Sequence, residues 1–75
     1  MGGFELALEL ARQGVIAAAE GKVGRSLNAN ERAGIAHVDS LLRLENYCRL
    51  FSAPEYPPAQ VRADLELLAK ASKQE

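Results

Sequence analysis

The chain holds one imidazole, His37, and one thiol, Cys48, the side-chain types most often used as general base and nucleophile. They are eleven residues apart in a stretch whose composition predicts a single helix. At 1.5 Å per residue the two side chains would be about 16 Å apart along the helix axis. That separation excludes a catalytic dyad between them within one helix.

Each of these two residues has an environment typical of a structural role. Cys48 has Leu44 and Phe51 at helical spacing, which predicts an inert thiol in an apolar core. The positions three and four residues from His37 carry no carboxylate and no second imidazole, so no metal pair is predicted. We expect His37 to be a satisfied core residue, with a pH-sensitive interface or a catalytic role as the alternatives. The sequence thus predicts no enzyme activity, no metal and no cofactor.

Basic residues without an acidic neighbour at helical spacing cluster around the segment Gly21-Lys-Val-Gly24. They precede or begin a predicted helix, where free backbone N–H groups and the positive end of the helix dipole favour an anion. Hydroxyl and amide side chains nearby could add hydrogen bonds. The alternative is that the two glycines only end one helix and form a turn. The candidate anion-binding residues are Lys22, Arg25, Ser26, Asn28 and Arg32.

Composition limits the classes of protein that fit. Nine Lys plus Arg against ten Asp plus Glu give a net charge of -1, which disfavours both a strongly basic nucleic-acid binder and an acidic mimic of DNA. The hydrophobic fraction of 48% in 75 residues predicts one folded domain over residues 1–75. The longest apolar run, at residues 15–19, is too short for a membrane span. A lone cysteine and no residues in signal-peptide order favour a cytoplasmic protein.

Three stretches rich in Ala, Leu, Glu and Arg predict an all-α fold with three helices at about residues 4–20, 29–52 and 58–72. Asn28 and Glu31 form a capping-box pattern at the second helix, and Pro58 suits the first turn of the third. The first helix is apolar on most sides, so we expect its neighbours to surround it. Gly14 either lies within that helix or ends it early.

The predicted second helix is too long for the domain. Its 24 residues would span about 36 Å, whereas a compact chain of this size is about 29 Å across. Its apolar residues also fall on two faces separated by roughly 90° or more. We expect the helix to bend or overhang, and expect the face of Ile35, Val38 and Leu42 to contact another copy of the chain. The alternative is that the other helices of the same chain cover one face each.

Parts of the second helix resemble the Hha/YmoA family of small helical nucleoid modulators, which dock on a DNA-binding partner. Residues 27–33 follow the order of that family's L-x-x-N-E-x-A segment, and Leu50 and Phe51 precede a proline-containing turn. Of the family's D-H-R-x-A-E-L segment only Asp39 is in place, and the aromatic and basic N-terminal portion is absent. We therefore do not assign the chain to this family.

The sequence is most consistent with a non-enzymatic protein-binding module, acting as an adaptor, regulator or inhibitor and as a homo-oligomer. A chain this small gains only about 3–5 kcal/mol from its core, so self-association or a partner is expected. The alternative is a binder of a nucleotide or nucleic-acid backbone through the basic loop. No membrane partner is expected.

Overall fold

A computed structural model describes residues 3–73, which form four α-helices and no strand. The helices are α1 (Gly3–Val23), α2 (Ala29–Ala36), α3 (Leu41–Ser52) and α4 (Pro58–Lys73). The all-α class is confirmed, while the prediction of three helices is wrong. The molecule measures 36 × 27 × 19 Å. Within residues 3–73, every helix is too short or too polar to cross a membrane.

Helix α1 is continuous through Gly14, as one of the two alternatives predicted. It ends at Gly24, which has a φ of 76° and donates its N–H to the carbonyl of Glu20 at 2.9 Å. Glycine adopts this left-handed conformation without a steric penalty, so Gly24 ends the helix. The buried side of α1 carries Leu8, Val15 and Ala19.

The predicted long second helix is interrupted at residues 37–40. His37 ends α2 by donating its backbone N–H to the carbonyl of Ala33 at 3.1 Å. Ser40 then begins α3, because its hydroxyl accepts a hydrogen bond from the backbone N–H of Arg43 at 3.3 Å. Serine is a favoured residue at this position, since its side chain satisfies an N–H that the helix leaves free. Two short helices therefore replace the one predicted over 29–52.

The interruption turns the apolar residues of both short helices toward one core. Ile35 and Val38 are 1% and 3% exposed, so they pack inside their own chain, whereas Leu42 is 68% exposed. This matches the alternative in which the chain covers its own faces, and it leaves Leu42 as the exposed member of the predicted interface. In the core α1 packs mainly on α3, and α2 on α4. The core consists of Leu8, Val15, Ala19, Leu27, Ile35, Val38, Leu44, Phe51, Val61, Leu65 and Leu68.

The segment between α3 and α4 is held by an aromatic side chain. Tyr56 donates its hydroxyl to the carboxylate of Asp64, and its ring lies 6.2 Å from that of Phe51. The hydrogen bond to Asp64, together with burial, raises the pKa of Tyr56 to about 12. Tyr56 thereby connects the turn to α4 on one side and to the core on the other.

The contact between α2 and α4 is closest at Gly34. A methyl group at this position would lie 2.7 Å from the backbone nitrogen of Ala69 and 2.7 Å from the carbonyl carbon of Leu68. Such distances are shorter than van der Waals contact, and the opposing atoms belong to the backbone. The two helices can approach this closely only because residue 34 has no side chain.

We expect Gly34→Ala to lower the free energy of unfolding by about 1–3 kcal/mol, because the added methyl group forces α2 and α4 apart. The matched control is Gly3→Ala, since Gly3 is also within a helix and has no atom within 4 Å of the added methyl group. This control should change the free energy of unfolding by less than about 0.5 kcal/mol. Urea denaturation checks both variants, and equal effects of the two changes would contradict the close approach at Gly34.

Candidate functional site

The predicted anion-binding loop has its main cation engaged within the protein. The guanidinium of Arg25 donates two hydrogen bonds to the carboxylate of Glu31, both at 2.9 Å. Glu31 is only 8% exposed, and it also accepts the backbone N–H of Asn28 at 2.9 Å. The side chain of Asn28 in turn accepts the N–H of Glu31 at 2.8 Å. The predicted capping box is confirmed, and Arg25 adds a third member to it.

These contacts change the acidity of the pair. The hydrogen bonds from Arg25 hold the pKa of Glu31 below its usual value against the opposing effect of burial, and the N–H of Asn28 contributes in the same direction. The same pairing raises the pKa of Arg25. Glu31 is therefore ionised at neutral pH and holds Arg25 in place.

The other two predicted cations also have partners inside the chain. Arg32 donates to the carboxylate of Glu20 and to the carbonyl of Leu27, each at 3.2 Å. Lys22 donates to the carbonyl of Ala53, the residue that ends α3. The structure thus gathers Arg25, Asn28 and Arg32 around the start of α2 but directs Lys22 elsewhere. A phosphate at this loop would meet guanidinium groups whose charge Glu31 and Glu20 already offset.

A polar cleft of about 430 Å³ adjoins the loop, between the start of α2 and α4. Its charged residues balance, since Arg25 and Lys70 face Glu31 and Glu66. The backbone carbonyl of Ser26 accepts a hydrogen bond from the guanidinium of Arg25 at 3.1 Å. With two charges of each sign the cleft has no net positive field to attract an anion.

The two residues with catalytic chemistry lie on separate elements. His37 is exposed at the end of α2, with its Nδ1 3.1 Å from the carbonyl of Ala33, so its predicted place in the core is wrong. Cys48 is half-buried between α3 and α1, and its Sγ lies 3.6 Å from where a methyl group on Gly14 would be. No three His, Cys, Asp or Glu residues within the described part of the chain are placed to hold a metal ion.

The side of α1 that points away from the core is apolar and uncovered. Leu6 and Leu10 are 60% and 63% exposed, and the sequence expectation that neighbours surround α1 is wrong on this side. Phe4, in the first turn of the helix, is also 63% exposed. We use the term α1 face for the set Leu6, Ala7, Leu10, Gly14, Ala17 and Gly21.

A groove of about 410 Å³ continues the α1 face toward α3. The two helices run in the same direction, since Arg12 in α1 donates to the carbonyl of Val38 just before α3 while Lys22 donates to that of Ala53 just after it. Glu45 is the charged residue among those that line the groove. The lining residues are Ala7, Leu10, Ala11 and Gly14 from α1, and Leu41, Leu44, Glu45 and Cys48 from α3.

The sequence indicated that this side of α1 is apolar, but we expected neighbouring helices to cover it. The helical spacing of Leu6, Leu10 and Ala17 indicates an apolar stripe, but it does not show whether another helix covers that stripe. No protein-family model matches the chain, and no curated protein or solved structure is similar to it. The candidate site is therefore the α1 face together with the adjoining groove.

We expect Glu31→Gln to lower the free energy of unfolding at pH 7 by about 1–3 kcal/mol, because it removes the charge that Arg25 binds. The lowered pKa of Glu31 means that this contribution is present above about pH 4.5 and is lost as the pH falls below that value. The stability difference between wild type and variant should therefore shrink in acid.

Denaturant unfolding at a series of pH values measures this difference, with Glu66→Gln as the control because Glu66 is exposed. A difference between wild type and Glu31→Gln that stays constant down to pH 3 would show that the ion pair with Arg25 contributes nothing.

Proposed function

We propose that this chain is a non-enzymatic module that binds another protein through the α1 face and the groove between α1 and α3. The observation that supports this proposal is the exposure of Leu6 and Leu10 on one continuous apolar side of a helix. Single exposed leucines are common on protein surfaces, but a row of them beside an apolar groove is typical of an interaction site.

The shape of the surface suits a helix as the bound element. Two helices that run side by side leave a groove in which the side chains of a third helix can pack. Full burial of an exposed leucine contributes about 1.5–3 kcal/mol, so Leu6 and Leu10 together supply a substantial part of a binding free energy. Occupying such a groove is how a small adaptor, regulator or inhibitor would act on its target.

The proposal does not extend to a phosphate-bearing ligand. Arg25 and Arg32 are paired with Glu31 and Glu20, so an incoming anion would be repelled by a carboxylate beside each cation. The apolar groove has no such competing contact to displace, and its occupation is limited mainly by the loss of motional freedom on binding.

We expect Leu10→Glu to abolish capture of partner polypeptides by the tagged chain, since it places a charge in the centre of the α1 face. The matched control is Leu67→Glu on α4, because Leu67 is 65% exposed and lies outside the α1 face. Quantitative mass spectrometry after affinity purification compares the two variants with wild type. A second, differently tagged copy of the chain is included so that self-association is also counted.

The control should capture what the wild type captures. If Leu10→Glu captures the same set, or if the wild type captures neither itself nor any other polypeptide, the proposed binding surface is rejected. Circular dichroism confirms that each variant retains its helices.

A further inference from the structure

We infer that the occupant of the α1 face is a second copy of this chain, with the two α1 helices packed antiparallel around a two-fold axis. The inference rests on the proposed function, because it names the partner of the same surface. It concerns α1 and not the set Ile35, Val38 and Leu42, of which the first two are buried in their own chain.

The α1 face is divided into a bulky half and a small half. Leu6 and Leu10, both more than half exposed, occupy the N-terminal half. Gly14, Ala17 and Gly21 occupy the C-terminal half, where Ala17 and Gly21 are exposed and Gly14 is half-buried beside Cys48. Antiparallel packing places the bulky half of each chain on the small half of the other. Parallel packing would instead oppose Leu to Leu at one end and leave a gap at the other, which close-packed interfaces avoid.

A single two-fold axis places a small residue of the partner opposite each of the two leucines. If the axis passes between Gln13 and Gly14, Leu10 is level with the partner's Ala17 and Leu6 is level with the partner's Gly21. A two-fold interface requires this reciprocity, because each contact must occur twice with the roles of the chains exchanged. An unrelated partner protein would place no such constraint on the order of large and small residues along α1.

A dimer of standard size would use a modest share of the surface of this chain. A standard interface takes about 800 Å² from each partner, which is about a sixth of the 4690 Å² that this chain exposes. The α1 face runs from Leu6 to Gly21, a distance of about 22 Å along the helix axis. The groove toward α3 widens the contact on one side.

A double-mutant cycle between Leu10 and Ala17 tests the inference. Leu10→Ala removes the bulky residue, Ala17→Leu fills the site opposite it, and the double variant exchanges the two. Within one chain these residues are about 10 Å apart along the helix, so coupling between them reports a contact between chains. Sedimentation equilibrium measures the dimer dissociation constant, with Leu67→Ala as the control outside the α1 face.

We expect the wild type and the control to dimerise. Leu10→Ala should weaken the dimer by about 30-fold, as truncation of an interface hot spot does, and Ala17→Leu should weaken it because two leucines then compete for one space. The double variant should recover most of this loss, because the alanine introduced in one chain then faces the leucine introduced in the other. Losses that simply add in the double variant would overturn the antiparallel arrangement.

A second measurement tests the same contact without Ala17→Leu, the variant that adds volume to the interface. Chains carrying Leu10→Lys and chains carrying Ala17→Glu should each be monomeric, since each would bury an unpaired charge. Their mixture should form a heterodimer, because the lysine introduced in one chain is then level with the glutamate introduced in the other, and native mass spectrometry detects it. No heterodimer in the mixture would overturn the inference.

The outcomes also separate this inference from the proposed function. A wild type that stays monomeric at high micromolar concentration, while capture of another polypeptide still depends on Leu10, rejects the dimer and keeps the binding surface. A dimer that persists in Leu10→Glu overturns the dimer inference, because the two chains would then meet elsewhere.

Discussion

A helix that continued from Ala29 to Ser52 would be about 36 Å long and would direct its two apolar faces to opposite sides of the molecule. The interruption at residues 37–40 removes this constraint, because it allows α2 and α3 to take separate directions. Ile35 and Val38 from one helix and Leu44 and Phe51 from the next then enter the same core. With that change of direction, α3 packs on α1 while α2 packs on α4.

Side chains from α1 hold the interruption and the ends of α3. Arg12 donates to the carbonyl of Val38 at 2.9 Å and to the carboxylate of Asp39 at 3.2 Å, so it supports the segment between the two short helices. Lys22 donates to the carbonyl of Ala53 at the far end of α3. These cations bond to carbonyls that have left the helical pattern. Basic residues of α1 thus hold the ends of α3 in place.

The same arrangement leaves the α1 face without a neighbour. With α3 packed along one side of α1, and α2 and α4 packed against each other, no fifth helix is available within residues 3–73 to cover Leu6 and Leu10. Because a chain of this size has a small core, exposing two leucines on its longest helix has an appreciable cost in free energy unless a partner buries them. The uncovered Leu6 and Leu10 are the residues on which the proposed binding surface depends.

The sequence by itself determined the helical class, the capping box of Asn28 and Glu31 and the extent of α4 to within a few residues, since these depend on local backbone preferences and short-range hydrogen bonds. It left open whether α1 continues through Gly14. It contained the Ser40 cap, and the two apolar faces of residues 29–52 indicated a bend or an overhang, but neither feature showed that the helix ends at residue 36 and begins again at residue 41. Only the tertiary structure decided which apolar face is covered and which cation is paired. Arg25 and Glu31 are six residues apart in the sequence, and Arg12 and Asp39 are twenty-seven residues apart. Such pairings depend on where whole helices pack, and helical periodicity identifies an apolar face without indicating whether the chain itself supplies the surface that buries it.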